Sequence, residues 1–130
     1  MTNWSPKALS ILRIVTALLF LEHGTMKLVS FPAEMPGMEG LPPMMLAAGL
    51  IEIAGGVALA LGLFTRLAAF ICAGEMAVAY FLIHAPQSFW PVLNSGDAAI
   101  LFCFVFLYFV FAGPGEWSLD KAMRPSTAGA

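Results

Sequence analysis

Charge is scarce in this chain: Lys, Arg, Asp and Glu together make up 11% of its 130 residues, where a soluble domain carries about 25%. So little polar surface cannot cover a water-facing sphere, and lipid is the expected solvent. The formal net charge is -2 and no run of basic residues occurs, which excludes nucleic acid as a partner. Cysteine is equally sparse. Cys72 and Cys103 lie in separate apolar runs with no C-x-x-C, so neither a disulfide framework nor a thioredoxin-like redox pair is signalled, and both read as small apolar fillers. Phosphate loops, nucleophile elbows, flavin fingerprints and H-E-x-x-H spacing are all missing; no intrinsic cofactor and no metal is expected.

What the chain does have is hydrophobic residues, 60% of the total, with a mean hydropathy of +0.87. They fall in four blocks, at about 8–29, 44–64, 66–84 and 94–112, against the roughly 20 residues that a helix needs to cross the hydrocarbon. Lys7 gives the first block the look of a signal peptide, but Arg13 interrupts it and no small-x-small cleavage site follows, so it reads as mature structure. "SFPAEMPGMEGLPP" (30–43), "HAPQSFWPVLNSG" (84–96) and "GPGEWSLDKAMRPS" (113–126) separate or close the blocks with proline and glycine. Apolar residues run on without the alternation of a half-buried strand, and a bilayer admits only helices or closed barrels. The expected architecture is therefore all-α: a four-helix transmembrane bundle forming a single domain. Five of the six basic residues, Lys7, Arg13, Arg66, Lys121 and Arg124, would share one side against Lys27 alone. The positive-inside rule then places both termini in the cytoplasm of a multi-pass protein of the inner or plasma membrane. Trp4, Trp90 and Trp117 fall at block ends, where interfacial aromatics belong.

A charge at the bilayer centre costs about 2.5–3.5 kcal/mol even on insertion scales, so ionisable residues inside spans face the protein interior, pair or go neutral. "LLFLEHGTMKL" (18–28) holds three of them, Glu22, His23 and Lys27. At about 100° per residue, His23 and Lys27 share a face near 280° and 320° from Arg13, while Glu22 points elsewhere, near 180°. In the second block Gly49, Glu52, Gly56 and Ala60 form one stripe, where small residues invite a close neighbour that would enclose Glu52. In the third, Met76, Tyr80 and His84 follow at i, i+4 and i+8, with Glu75 turned aside. His23, Lys27, Glu52, Tyr80 and His84 are thus the candidate ligand or proton pocket, in the outer half of the bundle. The residues also carry plainer readings: Lys27 as a snorkelling anchor, Glu52 as a hydrogen-bonded packing group, Arg13 as an interfacial anchor, Glu22 and Glu75 as contacts to another helix or subunit. Asp97 reads as a first-turn residue of the fourth helix. Bis-histidine haem ligation by His23 and His84 would need matched depth and a gap that the sequence does not signal, so haem is disfavoured.

Three segments, Arg13 through "HGTMKL", "EIAGGVALALGLFTRLAA" (52–69) and "GPGEWSLD" (113–120), resemble the DoxX family of small membrane proteins over nearly the whole chain. By motif the resemblance marks Arg13, His23, Gly24, Lys27, Glu52, Gly55, Gly56, Thr65 and Arg66. Relatives often read N-G-G-E where this chain has "NSGD" (94–97), so Asp97 keeps the carboxylate on a shorter stem. The resemblance implies a four-helix membrane protein tied to quinone-linked redox systems or oxidative stress, with quinone as candidate ligand and redox subunits or further copies of the chain as candidate partners. Without a cofactor motif, the chain reads as a subunit or accessory rather than a self-sufficient oxidoreductase. The alternative is a non-catalytic scaffold, an assembly factor, or a small-molecule or proton transport component.

Overall fold

The computed structural model describes residues 2–34 and 42–124, and those residues are all-helical. Helix α1 (Ser5–Val29) follows a single 3-10 turn, α2 is Pro43–Leu61, and α3 (Thr65–Ala79) runs on through a π turn at Tyr80–His84 and a 3-10 turn at Ala85–Gln87. A short α4 (Pro91–Asn94) leads into α5 (Asp97–Ala112), and α6 (Leu119–Met123) closes the described chain. The stretches Ser5–Val29, Pro43–Leu61 and Thr65–Gln87 are long and apolar enough to cross a membrane; α5 is apolar but shorter. The proline-rich link expected between the first two helices lies largely outside the described residues.

Local chemistry sets the helix ends. Proline in the first turn starts α1 and α2, where a missing N–H costs nothing. Left-handed residues stop them at Ser30 and Gly62. Helix α1 packs on α2, α2 on α3, α3 on α5, and α5 returns to α1. A β-carbon at Gly24 would lie 2.9 Å from the Glu52 β-carbon, and one at Gly56 would lie 3.1 Å from that of Leu21. Only glycine lets α1 and α2 approach this closely. The apolar core is aromatic: Phe20, Phe106 and Phe109 are fully buried, with the Phe20 and Phe106 rings edge to face at 4.8 Å.

The segment after α5 folds back beneath α1, α2 and α3. Arg13, expected as an interfacial anchor, is instead fully buried. Its guanidinium donates to Leu59 O at 2.7 Å, to Trp117 O at 2.7 Å and to Pro114 O. It satisfies carbonyls that the end of α2 and the "GPGEW" turn would otherwise leave bare. Ser10 joins it by accepting from Trp117 N at 2.9 Å. Arg66 donates to the carbonyls of Val110 and Phe111 at 2.7 Å each, closing the last turn of α5. Helix α3 has no N-cap side chain of its own; Asp120 supplies one from α6, accepting from Phe64 N at 2.7 Å and Thr65 N at 2.9 Å. Burial alone would raise the Asp120 carboxyl, but the Thr65 and Phe64 donors and the charge of Arg124 outweigh it and hold it below the usual carboxylate range.

Two outcomes follow from this cap. Arg13→Ala leaves several carbonyls without a donor and should lower stability by about 3 kcal/mol or more, read as a lower melting temperature and as proteolysis between residues 113 and 124. Because the folded carboxyl of Asp120 ionises below its unfolded value of about 3.9, its contribution is whole above that pH and is lost as pH falls through the folded value. Acidification from neutral pH to well below the unfolded value of about 3.9 should therefore progressively free α6, seen as a change in Trp117 fluorescence when Trp4 and Trp90 are replaced by Phe, and Asp120→Ala should remove the transition.

Candidate functional site

At the opposite end, the last turns of α1, the first half of α2, the end of α3 with its π turn and the first turns of α5 surround a cavity of about 240 Å³. Lys27, in the final turn of α1, does not snorkel. Helical side chains lean toward the N-terminus, and Lys27 reaches back so that Nζ donates to Glu52 Oε1 at 3.1 Å and Oε2 at 2.9 Å. The side chains are 10% and 2% exposed. Gly49 makes the approach possible, since a β-carbon there would lie 2.9 Å from the Leu28 side chain and 3.3 Å from the Lys27 β-carbon.

His23 from α1 and His84 from the π turn after α3 both line the cavity. His23 is exposed; its Nδ1 lies 2.8 Å from Leu19 O, and its ring meets Phe102 edge-on at 5.6 Å. The Nδ1 of His84 lies 2.9 Å from Asn94 O, which fixes the ring orientation and leaves Nε2 as its other polar atom. Tyr80, expected in the pocket, is not among the residues that line it. Met76 and His84, on either side of it in the stripe, do line the cavity. The Tyr80 hydroxyl instead accepts from Asn94 Nδ2 at 3.2 Å. Asn94 is fully buried and also donates to Ser88 O at 2.9 Å while its Oδ1 accepts from Gly96 N at 2.8 Å. One asparagine thus ties the α3–α5 connection together.

Glu75, expected to meet another helix or a subunit, turns toward α2. It lines the cavity together with Glu52, and both of its carboxyl oxygens are buried without a hydrogen-bond partner. Lying about 100° round from Met76 turns it toward α2, a sector invisible when only the Met76–His84 stripe is followed. The signal available in the sequence was the charge itself, a carboxyl in the middle of an apolar block. Glu22 is exposed on the outside of α1, and Asp97 opens α5 as an exposed first-turn residue. Cys72 is buried and Cys103 half-buried, both as free thiols. Among the described residues no group of three or more His, Cys, Asp or Glu side chains is placed to hold a metal ion.

The arrangement offers one ammonium, two carboxyls and two imidazoles around a small volume largely walled by apolar side chains. Such a set can hydrogen-bond a polar head group or pass a proton between acids and bases at short range.

Comparison with known proteins agrees with the sequence motifs. The DoxX family profile matches residues 8–85. A protein of Haemophilus influenzae, named only as uncharacterized, is 48% identical over 92% of both chains. The inner membrane protein YqjF of Escherichia coli is 31% identical over 86% of this chain and 88% of its own. An uncharacterized membrane protein of Mycobacterium tuberculosis is 27% identical over 96% of this chain and 88% of its own. No solved structure matches.

A buried ion pair costs most when one partner is removed and the other stays. Lys27→Met should destabilise the protein by on the order of 3 kcal/mol, whereas Lys27→Met combined with Glu52→Leu should recover most of that loss, as read by thermal unfolding in detergent.

Proposed function

The chain belongs to the DoxX family of membrane proteins, and from that premise we propose that it is an inner- or plasma-membrane subunit or accessory of a quinone-linked redox system. The cavity of His23, Lys27, Glu52, Glu75 and His84 is its ligand site. Lys27 and His23 act there as hydrogen-bond donors to a quinone carbonyl, and the two carboxyls hold or hand on protons. Electrons come from a partner protein, since the sequence carries no motif for a redox cofactor.

In this reading all four long helices cross the bilayer and both termini lie in the cytoplasm. Helix α5, with 16 residues, spans about 24 Å, and the α4 turn extends it at its start. Topology draws support from the placement of the cations: Arg13, Arg66 and Arg124 gather at one end with the chain segment after α5, while Lys27, at the other end, is neutralised by Glu52. No free lysine or arginine is left among the described residues to mark that far side as cytoplasmic.

The observation that carries the proposal is the Lys27–Glu52 pair beside the partnerless Glu75 carboxyl, inside a hollow rather than against packed side chains. A purely structural lock would be expected to fill that volume. The scaffold or assembly reading rests on Glu22, a carboxylate exposed on the outer face of a membrane helix, where it would meet a partner subunit.

Purification in mild detergent, followed by solvent extraction and quinone quantification, tests the site. The proposal expects bound quinone in the wild-type protein, loss of most of it in His23→Ala and Glu52→Gln with membrane insertion unchanged, and little change in Glu22→Gln. A quinone-free protein that co-purifies with a stoichiometric partner would overturn it in favour of the scaffold.

A further inference from the structure

A second hollow, of about 270 Å³, opens between α2 and α3 on the outer surface of the helices. Met44 and Ile51 form its α2 wall, and Ile71, Gly74 and Val78 its α3 wall; Glu75 is the one ionisable residue that lines it. Glu75 also lines the interior cavity. This side chain therefore stands where an apolar groove and a polar interior meet.

Gly74 supplies an independent observation. A β-carbon at Gly24, Gly49 or Gly56 would collide with the neighbouring helix, but one at Gly74 meets nothing within 4 Å. The residue sits within the continuous α3 helix and has no left-handed backbone to accommodate. Glycine is among the poorest residues for a helix interior, so neither packing nor conformation accounts for it. What it provides is width in the groove.

We propose that this groove is a lateral portal for a chain-bearing quinone of the membrane, whose alkyl or isoprenoid tail lies between Met44, Ile51, Ile71 and Val78 while its carbonyl-bearing head meets the Glu75 carboxyl. The inference rests on the quinone reading above and adds to it a route, a site for the chain and a head-group contact. Ile71, Val78 and Met44 are about half exposed, so the groove is reached from the acyl phase. Glu75 lies midway along the Thr65–Gln87 span, too deep for a phospholipid head group, which stays at the interface. Glu52 takes the Lys27 ammonium, and an ionisable side chain left without a partner inside a span goes neutral. Protonated, Glu75 is a donor to a neutral carbonyl; an apolar groove with one such donor at its inner end does not suit a charged or water-borne ligand.

The full chain in lipid nanodiscs tests this with two probes, a benzoquinone bearing a ten-carbon chain and the same ring without it, by equilibrium binding. The chain should raise wild-type affinity about tenfold or more. Gly74→Trp, which fills the groove, should abolish that gain and leave the chainless ring unchanged, while Gly74→Ala should keep it. Val78→Trp fills the same groove one turn further on and gives the same readout if Gly74→Trp folds poorly. Glu75→Leu should weaken both probes. If the chainless ring binds but the chain adds nothing, or if the gain survives both tryptophans, the portal is overturned and the quinone reading stands. Displacement of the chain-bearing probe by oleate but not by the chainless ring would reassign the groove to any acyl chain and overturn the proposal. If neither probe binds, the quinone reading fails and the portal falls with it.

Discussion

Inside lipid a charged group persists only where the protein supplies its counter-charge, and in this chain Lys27 and Glu52 do that for each other across α1 and α2. Their bond of 2.9–3.1 Å requires two helices to cross almost backbone to backbone, which Gly24, Gly49 and Gly56 permit. Packing and electrostatics are thus one constraint. A methyl group on any of these glycines would push α1 from α2 and pull the ammonium from the carboxylate. Glu52, held at this crossing, and Glu75 from α3 line the same cavity and give it its polar floor.

The two ends of the assembly use their polar groups differently. At the end closed by α6, Arg13, Arg66 and Asp120 are spent on backbone carbonyls and N–H groups, the accounting that a low-dielectric solvent imposes on every helix terminus. At the other end Asn94 serves the connections alone, and the carboxyls, the ammonium and the imidazoles are left around open volume. A base tied together through Arg13, Arg66 and Asp120 beneath a cavity with an unpartnered carboxyl is the expected division when one end holds the helices together and the other binds.

Much of this was legible in the residues. Apolar runs bounded by proline and glycine marked the long helices, and the Gly49–Glu52–Gly56 stripe announced a close contact enclosing a carboxyl, because helical spacing is a local property that a sequence states directly. Arg13 was misread, and the helix that Glu75 meets could not be named, for one reason: their surroundings are not local. The carbonyls that hold Arg13 include two contributed by Pro114 and Trp117, a hundred residues on, and Glu75 turns inward only because α2 lies in its sector. Asp120 as the cap of α3 and Asn94 as the tie of the α3–α5 connection were hidden in the same way. Tyr80 was hidden in the same way, since Asn94, which takes its hydroxyl, lies on the far side of the connection. Lys27 could be read as anchor or site with equal justice, because the direction of a long flexible side chain is settled by what waits at its tip.

The account stands on Lys27 turning inward. Magic-angle-spinning NMR of the protein in lipid bilayers, with 15N-labelled lysine and 13C-labelled glutamate, measures the dipolar coupling between Lys27 Nζ and the Glu52 carboxyl carbon. The account predicts a strong coupling, as both carboxylate oxygens lie within 3.1 Å of Nζ, and slow exchange of the ammonium protons with water. No coupling, together with an ammonium that exchanges freely at the bilayer surface, would place Lys27 among the snorkelling anchors and contradict it.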